Sequence, residues 1–171
     1  MTTTNAIGLD LSMTASGVAL PDGTTITIKP KGDGDRRLLY IRDAIWQSVK
    51  GSDALIVLED MPARLMANAA KAIGFVHGAV RSLLLEEGFV YVPVSPATLK
   101  AYATGKGNAD KTAMAIAALK RGGREFGDDN QCDAWWLRHA GLDRLGIPEF
   151  TLPQAQRDRL DKVIWPEQVI V

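Results

Sequence analysis

The sequence predicts an α/β fold with a mixed five-stranded sheet flanked by helices. Three short runs with strand character come first and are separated only by turns. Two apolar runs follow, each preceded by a helical pattern. Strands joined by tight turns pair antiparallel, whereas strands joined through a helix pair parallel. The predicted sheet therefore has three antiparallel strands followed by two of the parallel type.

The first three predicted strands form a meander. Residues 5–10 and 16–20 are joined by the turn "SMTA", and the turn "PDG" at 21–23 leads into "TTITI" at 24–28, where polar and apolar residues alternate. Turns of this length join neighbouring antiparallel strands. The meander therefore forms one side of the sheet.

The remaining strands alternate with helices. Helices over 32–51 and 63–87 flank "ALIVLED" at 54–60, whose continuous apolar run is typical of a buried parallel strand. The long helix leads into the fifth strand at 89–94. A meander followed by helical crossovers is the order of the ribonuclease-H-like fold, which we therefore predict.

Three helices and an extension complete the chain. "SPATLKAY" predicts a short helix capped by Ser95, and helices follow over 109–121 and within "GDDNQCDAWWLRHAG". We predict one domain over 1–145 and a C-terminal extension over 146–171 that packs on it. The best helical stretch of the extension is 153–163.

Composition excludes several classes of protein. Twenty Lys and Arg balance twenty Asp and Glu in 171 residues, so any surface for nucleic acid has to be local. Cys132 is the only cysteine, which excludes an intramolecular disulfide and a cysteine-based zinc site. No apolar run approaches the ~20 residues that span a bilayer. Because "MTTTNAIG" also lacks the features of a signal peptide, we expect a cytoplasmic protein.

Acidic residues stand at the ends of two predicted strands. Asp10 ends the first strand and Glu59 the fourth, and a carboxylate after a buried strand is costly unless paired or metal-bound. The last helix adds Asp129, Asn130 and Asp133 at i,i+3 and i,i+4 spacing. Converging carboxylates without Cys or His favour Mg²⁺ or Mn²⁺. Two such ions can promote phosphodiester hydrolysis.

Each acid also has a simpler interpretation. Asp10 alone is equally consistent with a turn residue, a phosphate-loop residue and a metal ligand. Asp128 or Asp129 can also be explained as the cap of the last helix, with no further role. Three acids at matching ends of elements favour a shared site over three separate structural roles.

A glycine-rich basic loop precedes the fourth helix. "LKAYATGKGNADK" carries Lys100, Lys106 and Lys111, and its glycines allow close approach of a phosphate. Lys111 lies at the predicted N-terminus of the helix, where backbone N–H groups also face anions. The spacing is not that of a P-loop. The loop therefore predicts contacts with nucleic-acid phosphates, with a solvated flexible loop as the alternative.

The long helix carries a G-x-x-x-G pattern at Gly74 and Gly78. In a globular protein this spacing favours close packing against a neighbouring element over dimerisation. We therefore expect another part of the chain to lie against these two glycines.

Taken together and in this order, the motifs resemble the RuvC family of Holliday-junction resolvases, in particular its shorter phage-type members. "IGLDLSMTASGVAL" is similar to the first family block, with Asp10 at the first ligand position, and "LIVLED" to the second, with Glu59 as the second acid. "AAKAIGFVHGAV" is similar to the long helix and "VPVSPATLKAYATGKGNADK" to the basic stretch. "DNQCDA" matches the last block, with Asp133 as its final aspartate. The resemblance covers about residues 5–142.

The resemblance implies a crossover junction endodeoxyribonuclease with its nuclease domain over 1–145. The enzyme would be a homodimer in which each subunit cuts one strand of a four-way DNA junction. The products would carry 5′-phosphate and 3′-hydroxyl ends, and the process would be phage recombination, replication or DNA packaging.

The resemblance also assigns roles to residues. It implies two Mg²⁺ or Mn²⁺ ions per active site, with Asp10, Glu59, Asp133 and Asp129 as ligands. It places Lys100 and Lys111 on DNA phosphates, where we expect Lys106 to join them. The implied catalytic residues are Asp10, Glu59, Asp129, Asn130 and Asp133.

One departure from the family pattern concerns the last block. Asn130 stands where the family usually has Asp or His, so Asp129, one turn before Asp133, is a second candidate for the fourth ligand. The missing charge leaves a non-catalytic junction-binding relative as an alternative.

Another departure follows Glu59, where the family often carries an aromatic residue that opens junction bases. This chain offers only Met61, Leu65 or Met66 as an apolar wedge, so a broader nuclease for forks and flaps is an alternative. A last alternative is an actin- or hexokinase-type ATP-binding fragment, because "DLSMTASG" loosely fits its first phosphate loop. Such folds need two related domains, for which 171 residues are too few.

Overall fold

The computed structural model describes residues 5–64 and 66–167, and these ranges contain five strands and six α-helices. None of these helices has both the length and the apolar composition that a membrane crossing needs. The strands are β1 (Ala6–Asp10), β2 (Ser16–Ala19), β3 (Thr25–Ile28), β4 (Leu55–Glu59) and β5 (Tyr91–Val94). The helices are α1 (Arg36–Val49), α2 (Ala67–Glu86), α3 (Pro96–Thr104), α4 (Lys111–Gly122), α5 (Asp129–Arg144) and α6 (Gln154–Arg157), with a 3₁₀ helix over Asp158–Lys162.

The strands form one mixed sheet in the order β3-β2-β1-β4-β5. β1, β2 and β3 pair antiparallel, and β4 pairs parallel with both β1 and β5. The predicted fold class is therefore confirmed. The parallel register sets Leu9 beside Leu58, so the next residues, Asp10 and Glu59, leave the sheet side by side.

Helices cover both faces of the sheet, and strand alternation decides which face each side chain joins. Ile7 and Leu9 pack with α1 and α2 on one face. Successive side chains of a strand point to opposite faces. Asp10 therefore shares the other face with Ala6 and Gly8, where α5 lies.

Helix α5 crosses the sheet close enough to require glycine in the strands beneath it. A Cβ on Gly8 would lie 1.8 Å from Ala134 O, and one on Gly17 would lie 2.0 Å from Asn130 O. No side chain fits at either position without displacing the α5 backbone. The two glycines therefore allow the first turns of α5 to reach the strand ends that carry Asp10 and Glu59.

The C-terminal segment packs on the same core as α5. Leu152, Leu160 and Trp165 are buried together with residues of α3 and α5. The Arg157 guanidinium pairs with the buried Asp143 carboxylate at 2.5 Å, and Tyr102 Oη donates to the same carboxylate at 3.3 Å. Polar contacts and apolar burial thus fix this segment against two helices.

The G-x-x-x-G pattern of α2 does not pack as expected. Gly78 is exposed, and a Cβ built on it would meet no described atom within 4 Å. At Gly74 the nearest atom to such a Cβ is Met61 Cε, at 3.8 Å. The expectation that another element of the chain lies against both glycines is wrong, because this side of α2 faces outward.

Candidate active site

Three acidic side chains meet at the edge of the sheet where β1 and β4 end. Asp10 and Glu59 come from the strand ends, and Asp133 comes from the second turn of α5. The carboxyl groups of Asp10 and Glu59 lie within hydrogen-bonding reach of each other, and Asp133 is close enough to repel both. The residues predicted from separate parts of the chain are therefore neighbours.

Burial and mutual repulsion make these carboxyl groups hard to ionise. Burial, with repulsion from Asp133, raises the pKa of Glu59 from 4.5 to about 7. Burial likewise raises the pKa of Asp133 to about 6, against the opposing effect of two nearby lysines. The pKa of Asp10 is also well above its ordinary range because of burial and the two neighbouring acids. Full ionisation of such a cluster needs compensating positive charge.

Two of the three predicted lysines supply positive charge beside the acids. Lys100 lowers the pKa of Glu59 and Asp133, and Lys111 that of Asp10 and Asp133. Lys106 lies further along the exposed loop, where its backbone N–H donates to Thr104 Oγ1 at 3.1 Å. The structure therefore separates Lys100 and Lys111, next to the carboxylates, from Lys106 on the loop.

Asn130, and not Asp129, contacts the acidic cluster. One terminal atom of the Asn130 amide lies 3.2 Å from Asp10 Oδ2 and 3.3 Å from Ala15 O. Both neighbours are acceptors, so the amide nitrogen faces them and donates to each. Asp129 instead forms an ion pair with Lys111. Asn130 therefore contacts the acidic cluster directly, and Asp129 reaches it only through a lysine.

The start of α5 is tied to the meander by polar contacts. Asp128 caps the helix by accepting from Gln131 N at 3.0 Å, and it also accepts from Thr27 Oγ1 at 2.6 Å. The neighbouring Cys132 is buried, which raises the pKa of its thiol to about 12. The cap holds the first turn of α5 over β2 and β3. The Cys132 thiol stays neutral because of its raised pKa.

Sequence reasoning missed the residues that hold the Asp10 loop in shape. Ser12 N donates to Ser16 Oγ at 3.0 Å, and Ser16 Oγ donates to Ser12 O at 2.9 Å. Gly8, two residues before Asp10 on the same face, was equally unassigned. A hydroxyl at each end of a short turn, and a glycine inside an apolar strand, are the signals that point to these roles.

The oxygen donors of the cluster match a hard divalent cation. Asp10, Glu59 and Asp133 supply carboxylates, the ligand type that Mg²⁺ and Mn²⁺ prefer. Within the described residues, no three His, Cys, Asp or Glu side chains are already placed to hold one metal ion together. The carboxyl groups of Asp10 and Glu59 are instead close enough to share a proton. A cation would replace the shared proton. The oxygen donors fit such a cation, but the three carboxyl groups would have to move closer together to bind it.

Comparisons with known proteins show the fold. No protein-family model and no curated protein sequence matches the chain. A solved structure of Thermus thermophilus RuvC matches with a TM-score of 0.66 at 19% identity, over 85% of this chain and 99% of that one. A structure of the same protein in complex with a Holliday junction substrate matches with a TM-score of 0.65 at 19% identity, over 86% and 99%.

The likeness agrees with the order of elements. The alignment covers 99% of each matched RuvC chain, and the aligned part of this chain holds a five-stranded sheet with three antiparallel strands followed by two parallel ones. At 19% identity this agreement concerns architecture. The chain therefore has the ribonuclease-H-like fold of RuvC.

Proposed function

We propose that the protein is a metal-dependent, structure-selective endonuclease that resolves four-way DNA junctions. The observation that carries the proposal is the meeting of Asp10, Glu59 and Asp133 on a RuvC-like fold, with Lys100 and Lys111 beside them. The solved RuvC complex with a Holliday junction substrate supports branched DNA as the ligand. The sequence resemblance supports a phage role in recombination, replication or DNA packaging.

In the proposed mechanism the chain's own groups bind and orient the scissile phosphate. Lys100 and Lys111 attract the phosphates on either side of the cut and offset the charge of the acids. Asp10, Glu59 and Asp133, with Asn130 as the fourth group, would hold two Mg²⁺ or Mn²⁺ ions. Such ions would activate a water molecule and stabilise the leaving oxygen, giving 5′-phosphate and 3′-hydroxyl ends.

We further propose that the active form is a homodimer built on α2. Phe75 is 47% exposed on this helix. Gly78, about one turn later, has no side chain to cover the helix backbone, and a Cβ built on it would meet no described atom within 4 Å. Two copies would place two active sites on one junction, so that each cuts one strand. Sedimentation of wild type and of Gly78→Trp tests this assignment, because a large side chain at Gly78 would keep the helices apart.

Cleavage of a labelled synthetic junction by purified variants tests the proposed chemistry. Asp10→Asn, Glu59→Gln and Asp133→Asn should each lose cleavage in Mg²⁺ or Mn²⁺ and retain junction binding in EDTA. Asp53→Asn, which changes an exposed carboxylate before β4, is the matched control and should cleave normally. Full Mg²⁺-dependent cleavage by Asp10→Asn would show that the proposed active site is wrong.

A broader nuclease for branched DNA is the second candidate, and one observation favours it. Met66 is 85% exposed just before α2, and the sequence between Glu59 and α2 contains no aromatic residue. Leu65, the other predicted wedge residue, lies outside the described residues. Comparison of four-way junctions, forks, flaps and linear duplexes separates the two functions. Equal cleavage of forks and junctions would establish the broader activity.

A further inference from the structure

The 3₁₀ helix over Asp158–Lys162 presents three chemically different faces. With three residues per turn, side chains at i and i+3 of such a helix lie above one another. Leu160 and Val163 join the apolar core. The acids Asp158 and Asp161 share a second face, and the bases Arg159 and Lys162 share the third. The sequence "DRLDKV" therefore sorts its charges by sign.

The acidic face is occupied by contacts within the chain. Asp161 Oδ1 lies 3.5 Å from the Arg144 guanidinium at the end of α5. Asp158 Oδ1 accepts from Gln154 Nε2 at 2.7 Å. Both partners line one cavity together with the two acids, whereas Arg159 and Lys162 line a different one. The acids are therefore turned away from the surface that the bases form.

The basic face opens into a cavity beside the glycine-rich loop. The cavity has a volume of about 220 Å³, and both Arg159 and Lys162 line it. Among the described residues, neither side chain forms an ion pair with a carboxylate. The other lining residues belong to α3 and to the loop that carries Lys106: Ala97, Thr98, Ala101, Gly105 and Gly107.

Small residues and closely packed backbone form the opposite wall of the cavity. A Cβ on Gly107 would lie 3.2 Å from Ala97 O, so the loop runs directly against α3. Gly105 has φ +86°, which favours glycine, and ends α3 in a left-handed cap. Small residues on this wall leave the two bases as the largest groups that reach into the cavity.

The segment that carries the bases is fixed in place. Gln156 Nε2 donates to Tyr102 O at 2.8 Å in a buried contact, and Arg157 Nε donates to Asp143 Oδ1 at 2.8 Å. The Trp165 side chain is buried at the end of the segment, and its Nε1 donates to Leu160 O at 2.9 Å. Arg159 and Lys162 therefore extend from a rigid support, which lowers the entropy lost when they bind an anion.

We propose that Arg159 and Lys162 form a phosphate-binding site for the DNA backbone, supplied by the C-terminal segment. The site would extend the surface of Lys100, Lys106 and Lys111 outward along the bound duplex arm. Its ligand is the phosphodiester of DNA, and the contact is independent of base sequence. The assignment rests on the proposed function for the choice of DNA as partner.

Fluorescence anisotropy with the full chain tests the proposal on a labelled four-way junction and on a linear duplex, in EDTA and over a range of KCl. Because each phosphate contact adds about 0.9 to the salt slope, Arg159→Ala/Lys162→Ala should reduce the slope by up to ~2 and weaken binding roughly 10- to 50-fold near 0.1 M salt. Arg159→Lys/Lys162→Arg keeps both charges and should bind within about threefold of wild type. Arg42→Ala/Lys50→Ala, at α1 and the residue directly after it, removes the same charge from the opposite face of the sheet and should bind like wild type.

Several outcomes would overturn the site. Wild-type affinity and salt slope in Arg159→Ala/Lys162→Ala would do so, as would an equal loss in the α1 control. Stabilisation of wild type by inorganic phosphate that disappears in the double variant, with DNA affinity unchanged, would assign the cavity to a small anion instead. The measurement on the linear duplex keeps this result separate from the proposed function. A protein with no preference for junctions would still show the contribution of Arg159 and Lys162 to DNA binding.

Discussion

The acidic cluster makes a quantitative prediction about stability without metal. Glu59→Gln removes an ionisable group while keeping its shape, and the Gln amide can donate to Asp10. The pKa of Glu59 is about 7 in the folded protein against an ordinary 4.5, a difference that corresponds to about 3 kcal/mol. The substitution should therefore stabilise the metal-free protein by up to this amount.

The sign of the effect depends on pH. Below pH 4.5 the Glu59 carboxyl is protonated in both states and the substitution changes little. Between 4.5 and 7 only the unfolded chain releases the proton, so the folded wild type loses stability as pH rises. The advantage of Gln grows through this window and is complete at roughly pH 8.

The pH dependence of wild-type stability alone would not reveal this effect, because two buried histidines change stability in the opposite direction. Burial lowers the pKa of His77 to about 4 and of His139 to about 3, and both are protonated in the unfolded chain below 6.5. These histidines therefore stabilise the folded state increasingly as pH rises towards 6.5, opposite to Glu59. The difference between Glu59→Gln and wild type cancels them.

Urea unfolding of both proteins in EDTA, from about pH 4.5 to about pH 8, measures that difference. For a chain of this size, about 3 kcal/mol corresponds to a rise in Tm of roughly 6–12 °C. Glu125→Gln, at an exposed position after α4, is the control and should show no pH-dependent gain. With Mn²⁺ at high pH wild type should become the more stable of the two proteins. The Glu59 carboxylate would bind the ion, whereas the amide of the variant would bind it only weakly. A difference that stays flat with pH would refute the buried acidic cluster.

Three further predictions follow from contacts around the site. Gly17→Ala places a Cβ 2.0 Å from Asn130 O and should cost about 3 kcal/mol or more in urea unfolding, whereas Gly78→Ala, with open space around it, should be neutral or stabilising. Asn130→Asp adds a negative charge beside Asp10, so calorimetry should show tighter Mn²⁺ binding and a lower Tm in EDTA. Asp143→Asn removes the negative charge that pairs with Arg157, so limited proteolysis should cut the C-terminal segment several-fold faster, with little change in cleavage of the sheet core.

The sheet and its helices could be predicted because local pattern dictates them. Alternation in "TTITI", the apolar run "LIVLE" and the cap at Ser95 each depend on a few neighbouring residues, and the structure confirms these elements. The long helix begins at Ala67 rather than near residue 63. Glycines with positive φ follow four of the helices, so these helices end close to the predicted positions: Gly51, Gly88, Gly105 and Gly123. Such signals are independent of what each element packs against.

The parts that sequence reasoning missed depend on packing between distant segments. A glycine inside a strand indicates close approach of another element, but nothing near Gly8 or Gly17 identifies that element as a helix more than a hundred residues later. The choice between Asp129 and Asn130 was open for the same reason, since both are on the first turn of α5 and helix phase decides between them. The three faces of the 3₁₀ helix require its three-residue repeat, whereas the sequence predicted an ordinary helix over 153–163.

The contact of Asn130 with Asp10 gives a physical meaning to the departure from the family pattern. With its nitrogen towards Asp10, the amide donates a hydrogen bond and relieves a crowded carboxylate. After a half-turn of the side chain, its oxygen faces the same position and joins the carboxylates as a donor for a cation. An aspartate in this place would strengthen metal binding and add repulsion whenever no cation is bound. Asn130 would therefore lower the affinity for a metal ion and raise the stability of the metal-free site, while Asp129 holds Lys111 next to the acidic cluster.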